Sequence, residues 1–393
     1  MIRKVKFSNF YSFSKEQEIN FLATKKKTYD YYQSETGDQI TKIAGFIGKN
    51  ASGKTNVMRL FSFLGYFVCR EINDDSALVN EIAKKTFFNN ADPSSFSIEF
   101  ENSGSIYFYD FSLQEKIIIN ESLFVQKIQK GARKEELFTR QATSIIRINK
   151  EYFKNLTEDA FPKVREDVSF IAFIKKSTYS IDIINSVYDY FSGFKTNINE
   201  RGGINQLPHQ INTLQMYLRS PDLKQKVENF ICRFDIGLHG FEIKKQIQEN
   251  GISSISVKGI HAAKGNNKLD FNYESTGTQS LFFAMANILS ALNNNNIVII
   301  DEIEFGLHPE ALNKLIGYFI DENKNKKSQF IFSSNSLGFM NKLDMHQIYL
   351  VDKKTKGSSS VLRLNKVPNI RPDENFLAKY LSGAYGAFPK IRV

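Results

Sequence analysis

Eight residues, Gly48-Lys49-Asn50-Ala51-Ser52-Gly53-Lys54-Thr55, constrain this chain more than any other stretch. They fit G-x-x-x-x-G-K-[ST], a pattern that carries meaning between a strand and a helix. Ile40 to Ile47 is apolar enough for a buried strand, and Asn56 to Val68 sets Val57, Met58, Leu60, Phe61, Leu64 and Phe67 at helical spacing. A Gly-rich turn at that junction aims backbone N–H groups and the positive end of the helix dipole at one point. Gly48 and Gly53 permit a close backbone approach that a side chain would obstruct. Lys49, Asn50, Ala51, Ser52 and Asn56 complete the expected cradle. Lys54 is expected to reach the β- and γ-phosphates, and the Thr55 hydroxyl to ligate Mg²⁺. The stretch reads as a nucleoside-triphosphate site.

A chain of 393 residues has room for two or three domains, or for one large domain with an insertion. No apolar run approaches a membrane span, and Met1-Ile2-Arg3-Lys4-Val5-Lys6-Phe7 lacks the apolar block of a signal peptide. The two cysteines, Cys69 and Cys232, make neither a disulfide framework nor a metal cluster. A cytoplasmic protein with reduced thiols is expected. The net charge of +10 favours anionic partners, but Lys25–Lys27, Lys324–Lys327 and Lys353–Lys356 are short, scattered runs that read as solvated loops.

Taken in order, Ile2 to Phe7 and Ile19 to Leu22 read as two short strands. Phe96–Phe100 and Ser105–Leu113 read as a hairpin about Asn102-Ser103-Gly104. Strand-like text continues to about Tyr152. From Asp167 to Gly237 the pattern is helical, with amphipathic stretches at Asp182–Phe191 and Ser220–Phe234. Strands return at Phe241–Ile243 and Ile252–Val257. Further on, Ile297-Val298-Ile299-Ile300-Asp301-Glu302 is a fully apolar strand ending in two carboxylates, suited to a central position buried on both faces. As a Walker B segment, Asp301 would hold Mg²⁺ through its hydration shell, and Glu302 would orient and deprotonate the attacking water. Before it, Glu274-Ser275-Thr276-Gly277-Thr278-Gln279-Ser280 opens the apolar helix Leu281–Leu292. That turn is either a plain N-cap or an anion site in which hydroxyl, N–H groups and dipole face forward.

Together these passages resemble the SMC/Rad50-like branch of ABC ATPases, in particular the stand-alone ATPases of bacterial phage-defence and abortive-infection operons (the RloA and AbiL types, and the ATPase part of the overcoming-lysogenization-defect nucleases). The resemblance rests on Lys6-Phe7-Ser8-Asn9-Phe10-Tyr11-Ser12-Phe13 with the 48–55 loop, and on the turn at Glu274–Gln279. It rests also on Asp301-Glu302-Ile303-Glu304-Phe305-Gly306-Leu307-His308-Pro309 and on the tail Lys379–Ala387. Ser275 stands 26 residues (301 − 275) before Asp301, where such ATPases carry their signature. The resemblance implies an α/β ABC-type P-loop NTPase head: a mixed sheet, an antiparallel N-terminal part and a mainly helical insertion. Expected boundaries are 1–120 for the first part of the head, 121–260 for the insertion or lid, and 261–393 for the remainder. It further implies two heads sandwiching two ATP molecules. Ser275, Gly277, Thr278 and Gln279 of one chain would then meet the nucleotide held by Lys54 and Thr55 of the other, making a homodimer.

Two positions depart from that pattern. Asn335, after the apolar run Gln329–Ser334, stands where the family usually has His. Asn can hydrogen-bond a phosphate or water but carries no charge, so slow hydrolysis is expected. No Gln stands at the Q-loop position, where Thr86-Phe87-Phe88-Asn89-Asn90 reads as a plain loop, with Asn89 or Asn90 as substitutes. His209, His239, His261 and His346 stand alone, and His308 is either a contact residue or a helix start before Pro309. The 58 residues after Asn335 (393 − 335) are too few for a metal-dependent nuclease domain, so a separately encoded nuclease or toxin is the expected effector. A dimeric ATPase that senses phage infection or restrains that effector is the leading expectation. The alternatives are a RecF-like DNA-binding repair protein and an ATP-binding scaffold with negligible turnover.

Overall fold

The computed structural model describes residues 1–23, 28–69, 85–115, 117–154, 164–198, 206–234, 237–247, 253–262 and 267–386. The Lys25–Lys27 run, residues 263–266 of the loop before the signature, and Ala387 lie outside them.

Continuous apolar runs build a parallel sheet at the centre. Its order is Lys195–Thr196, Ile297–Ile300, Gln329–Ser334, Ile43–Ile47, Ile348–Lys353 and Ser359–Arg363, and only the last strand pairs antiparallel. Every residue of Ile43–Ile47, Ile297–Ile300 and Gln329–Ser334 is buried, as strands covered on both faces require. Side chains alternate between two cores. Ile297 and Ile299 face the helix Lys54–Cys69, whereas Val298 and Ile300 face the helices Thr276–Asn294 and Pro309–Glu322.

A second, antiparallel sheet of seven strands covers the far side of the Lys54–Cys69 helix. Its order is Ser144–Ile148, Glu135–Gln141, Ile117–Lys127, Ser105–Gln114, Ser94–Asn102, Ile2–Ser8 and Gln17–Asn20. Phe63 and Phe67 of the helix pack on Phe96 and Phe111 of this sheet, with Phe67 stacked on Phe111 at 4.2 Å between centroids. The hairpin at Ser103-Gly104 is as expected, with positive φ at both turn residues. A fully buried pair, Glu121 and Arg140, ties the sheet to the start of the helix Phe170–Lys176, where Glu121 accepts from Phe170 N.

One sequence expectation shifts. The run from Ile40 to Ile47 is two strands, because Lys42 turns away to donate to Asn323 O and Lys324 O at the end of the Pro309–Glu322 helix. Residue 120 lies in the strand Ile117–Lys127, and the same sheet includes Glu135–Gln141 and Ser144–Ile148, the β part expected at the start of 121–260. The helical stretch also divides. Asp182–Ser192 packs on the P-loop helix, whereas Gln206–Arg219 and Pro221–Ile231 pack on the Thr276–Asn294 helix.

Candidate nucleotide site

Three neighbouring parallel strands end together. Register sets Ile47 beside Ser334 and Phe332 beside Ile300, so Gly48, Asn335 and Asp301 emerge at one edge of the sheet. The carboxyl edge of parallel strands is where α/β folds gather ligand-binding groups.

The 48–55 loop has the backbone its sequence requires. Ala51 and Gly53 have φ of 60° and 114°, and a Cβ on Gly48 would lie 2.0 Å from Val351 O. Lys54 opens the helix and is buried, and its Nζ donates to Gly48 O at 2.8 Å and Lys49 O at 3.2 Å. Burial lowers the Lys54 pKa, against support from the Glu304, Asp301 and Glu302 carboxylates. Lys49 pairs with Asp352 at 3.0 Å. Ser52 is buried, and its carbonyl accepts from Ser359 Oγ at 2.6 Å. Asn50 is exposed at the tip of the loop. The Asn56 amide is engaged locally, donating to Ser12 Oγ and accepting from Arg59.

Asp301 is 5% exposed, and burial raises its pKa while the Ser333 and Thr55 hydroxyls pull it back. A hydroxyl and a carboxylate brought together are hard oxygen donors of the kind Mg²⁺ takes beside phosphate and water. Glu302 is exposed at a positive φ of 49°, with its N–H held by Ser333 Oγ at 2.9 Å. Burial and the neighbouring Asp301 and Glu304 charges raise its pKa, the direction a general base needs. Asn335 has an exposed side chain, and its backbone N–H is bound by Glu304.

The signature turn borders the site through Thr276 and Gln279, which line a cavity with Asp301 and Glu302, but Ser275 and Gly277 open into a different one. Ser275 caps the helix, accepting from Thr278 N at 3.1 Å, and lies in a cavity of about 410 Å³ shared with Gly277, Thr278, Gly306, Leu307 and His308. No residue of 48–56 lines that cavity. The Gln279 amide donates to Phe271 O, Asn272 O and Glu274 O, which fixes the approach to the helix. His308 is an N-cap, its Nδ1 accepting from Glu310 N.

Several working residues gave no signal in the sequence. Asn197 grips the end of the Walker B strand, donating to Asp301 O and accepting from Asp301 N, both at 2.9 Å. Such a contact joins residues 104 apart and has no local pattern. Two histidines read as standing alone are paired. His261 meets Glu274 at 2.8 Å, at the foot of the signature turn, and His346 meets Asp344 at 2.6 Å. In the Q-loop region the Asn90 side chain is bonded to Asn9, while Asn89 is exposed.

The family described as "AAA domain, putative AbiEii toxin, Type IV TA system" matches residues 43–341, well over half of the chain. The chain belongs to this family. The match begins on the P-loop strand of this AAA domain and ends just past the switch loop at Asn335. Among solved structures, an SMC head bound to the C-winged helix domain of ScpA superposes with a TM-score of 0.53. Its identity is 13%, covering 94% of this chain and 99% of that one. The SMC head domain from Thermotoga maritima gives 0.43 at 14% identity, covering 92% and 98%. An SMC head with an extended coiled coil bound to the C-terminal domain of ScpA, from Pyrococcus furiosus, gives 0.44 at 14% identity, covering 93% and 97%. Identities this low speak for the fold alone, and that fold is the α/β ABC-type P-loop head. No curated protein matches. Among the described residues, no helix is long and apolar enough to cross a membrane.

Proposed function

We propose that this AAA domain is a slow Mg²⁺-dependent ATPase that works as a homodimer in the cytoplasm and controls a separately encoded effector in abortive infection. The observation that carries the ATPase reading is the convergence of Lys54, Thr55, Asp301, Glu302 and Asn335 at one edge of the parallel sheet. The Gly48–Thr55 loop binds the phosphates, with Lys54 exchanging its carbonyl partners for phosphate oxygens. Thr55 and Asp301 would hold Mg²⁺, which supplies charge neutralisation at the phosphates. Glu302 takes the proton of the attacking water, and Asn335 offers that water an amide in place of a charged imidazole.

The dimer reading is supported by the separation of the signature turn from the loop of its own chain. Each chain carries one of each, and Ser275 and Gly277 open into a cavity that residues 48–56 do not line. The role in abortive infection is supported by the family's description as part of a toxin–antitoxin system.

The test is phosphate release by purified protein with Mg-ATP. Lys54→Ala should reduce turnover about a hundredfold or more. Glu302→Gln should stop turnover and accumulate an ATP-bound dimer, read by light scattering. Unchanged turnover in Lys54→Ala would defeat the site, and a Glu302→Gln protein that stays monomeric with ATP would defeat the dimer. In cells, Lys54→Ala should also abolish protection against phage.

A further inference from the structure

The turn that leaves the Walker B strand carries a third carboxylate, Glu304, after Asp301 and Glu302. It is half-buried, and its carbonyl accepts from Leu307 N at 2.7 Å. Its Oε1 accepts from the backbone N–H of Asn335 at 2.6 Å. Its Oε2 is buried and has no hydrogen-bond partner among the described residues. A neutral amide or hydroxyl would satisfy one N–H equally well, whereas a carboxylate with a buried, unpaired oxygen is costly to hold. The charge also has an object, since Glu304 is foremost among the carboxylates that support the Lys54 ammonium.

Downstream, the same turn presses backbone to backbone on the signature. A Cβ on Gly277 would meet Gly306 O at 2.6 Å, and a Cβ on Gly306 would meet Thr276 C at 2.9 Å. The Thr276 methyl stands at 3.0 Å from the same position on Gly306, so the two turns are closely packed. Movement of Glu304 is therefore felt at the switch loop on one side and at the signature turn on the other.

We propose that Glu304 is a positioning residue: it holds the Asn335 switch loop at the phosphate end of its own site and conveys that loop's state to the signature turn. A phosphate arriving at Lys54 alters the field on the Glu304 carboxylate, and the two backbone segments attached to it respond. The inference rests on the ATPase reading above.

The test compares turnover, affinity for a fluorescent ATP analogue and melting temperature in wild type, Glu304→Gln and Glu304→Ala. Gln keeps an acceptor for the Asn335 N–H and loses only the charge. Both variants should bind nucleotide within about twofold of wild type and turn over about tenfold more slowly, with Gln keeping the wild-type melting temperature. Wild-type turnover in Glu304→Gln would overturn the inference. So would a joint loss of affinity and melting temperature in both variants, which marks a purely structural clamp. If Lys54→Ala retains turnover, the ATPase reading itself fails and takes this inference with it.

Discussion

Lys54 is held by the loop it serves, its ammonium satisfied by Gly48 O and Lys49 O. A phosphate must replace those carbonyls, so binding exchanges hydrogen bonds rather than rescuing a bare charge. Gly277 is constrained in another way. It opens the signature helix with Gly306 O where a Cβ would stand, at 2.6 Å. The obstruction is backbone, so Gly277→Ala has to shift the 304–308 turn. Overpacking of this kind destabilises by about 1–3 kcal/mol. Since the cavity that Gly277 lines includes no residue of the 48–55 loop, the variant should keep nucleotide affinity while its turnover falls about tenfold. Steady-state phosphate release and a nucleotide titration on the same preparation measure the two effects. Equal losses in both would mean that the signature turn serves its own P-loop.

At the scale of elements, the site depends on where strands end, and Asn197 sets one of those ends. It extends the short edge strand Lys195–Thr196 by side-chain bonds to both the N–H and the carbonyl of Asp301. Asn197→Ala leaves two backbone groups next to a buried carboxylate without those partners, at about 1–3 kcal/mol each. A lower unfolding midpoint together with reduced turnover is expected, by denaturant titration and phosphate release. Lys42 shows the same dependence on burial. Its Nζ caps the end of the Pro309–Glu322 helix, and burial lowers its pKa from 10.5 to about 8. Between those two values the unfolded chain binds a proton that the folded chain does not, so stability rises with pH across that window. Lys42→Met should flatten the slope from pH 8 to 10.5, measured by denaturant unfolding at each pH. The Walker strands were legible because strands buried on both faces must be apolar throughout, as Ile297–Ile300 is. The 48–55 loop was legible because its chemistry is local in sequence. The break at Lys42 in the run Ile40–Ile47 has no local signal, because its partners lie 281 residues and more away. Asn197 and Glu304 act through backbone groups of distant segments, so no spacing rule reveals them.

For the whole molecule, the parallel sheet divides two cores. The P-loop helix is enclosed between the two sheets, while the signature helix and the Pro309–Glu322 helix close the opposite side. The proposed composite site would need an exposed surface at the signature end, and two aromatic residues stand exposed there. Tyr273, two residues before Ser275, is 78% exposed, and Phe305, which lines a cavity with Thr276, is 57% exposed. Scattered apolar residues on a surface need no explanation, but exposed aromatics next to a candidate site are worth testing. Phe305 follows Glu304 and lines a cavity with Thr276 and Glu302, which makes it the residue to test in the proposed dimer. In the Glu302→Gln background, Phe305→Asp should weaken ATP-dependent dimerisation about tenfold or more, as loss of an aromatic anchor does. Nucleotide affinity of the monomer should not change, because Phe305 is outside the 48–55 cradle. Analytical ultracentrifugation with and without ATP separates the two quantities. A dimer of unchanged strength would place the seam on another face and leave the signature turn without a partner chain to serve.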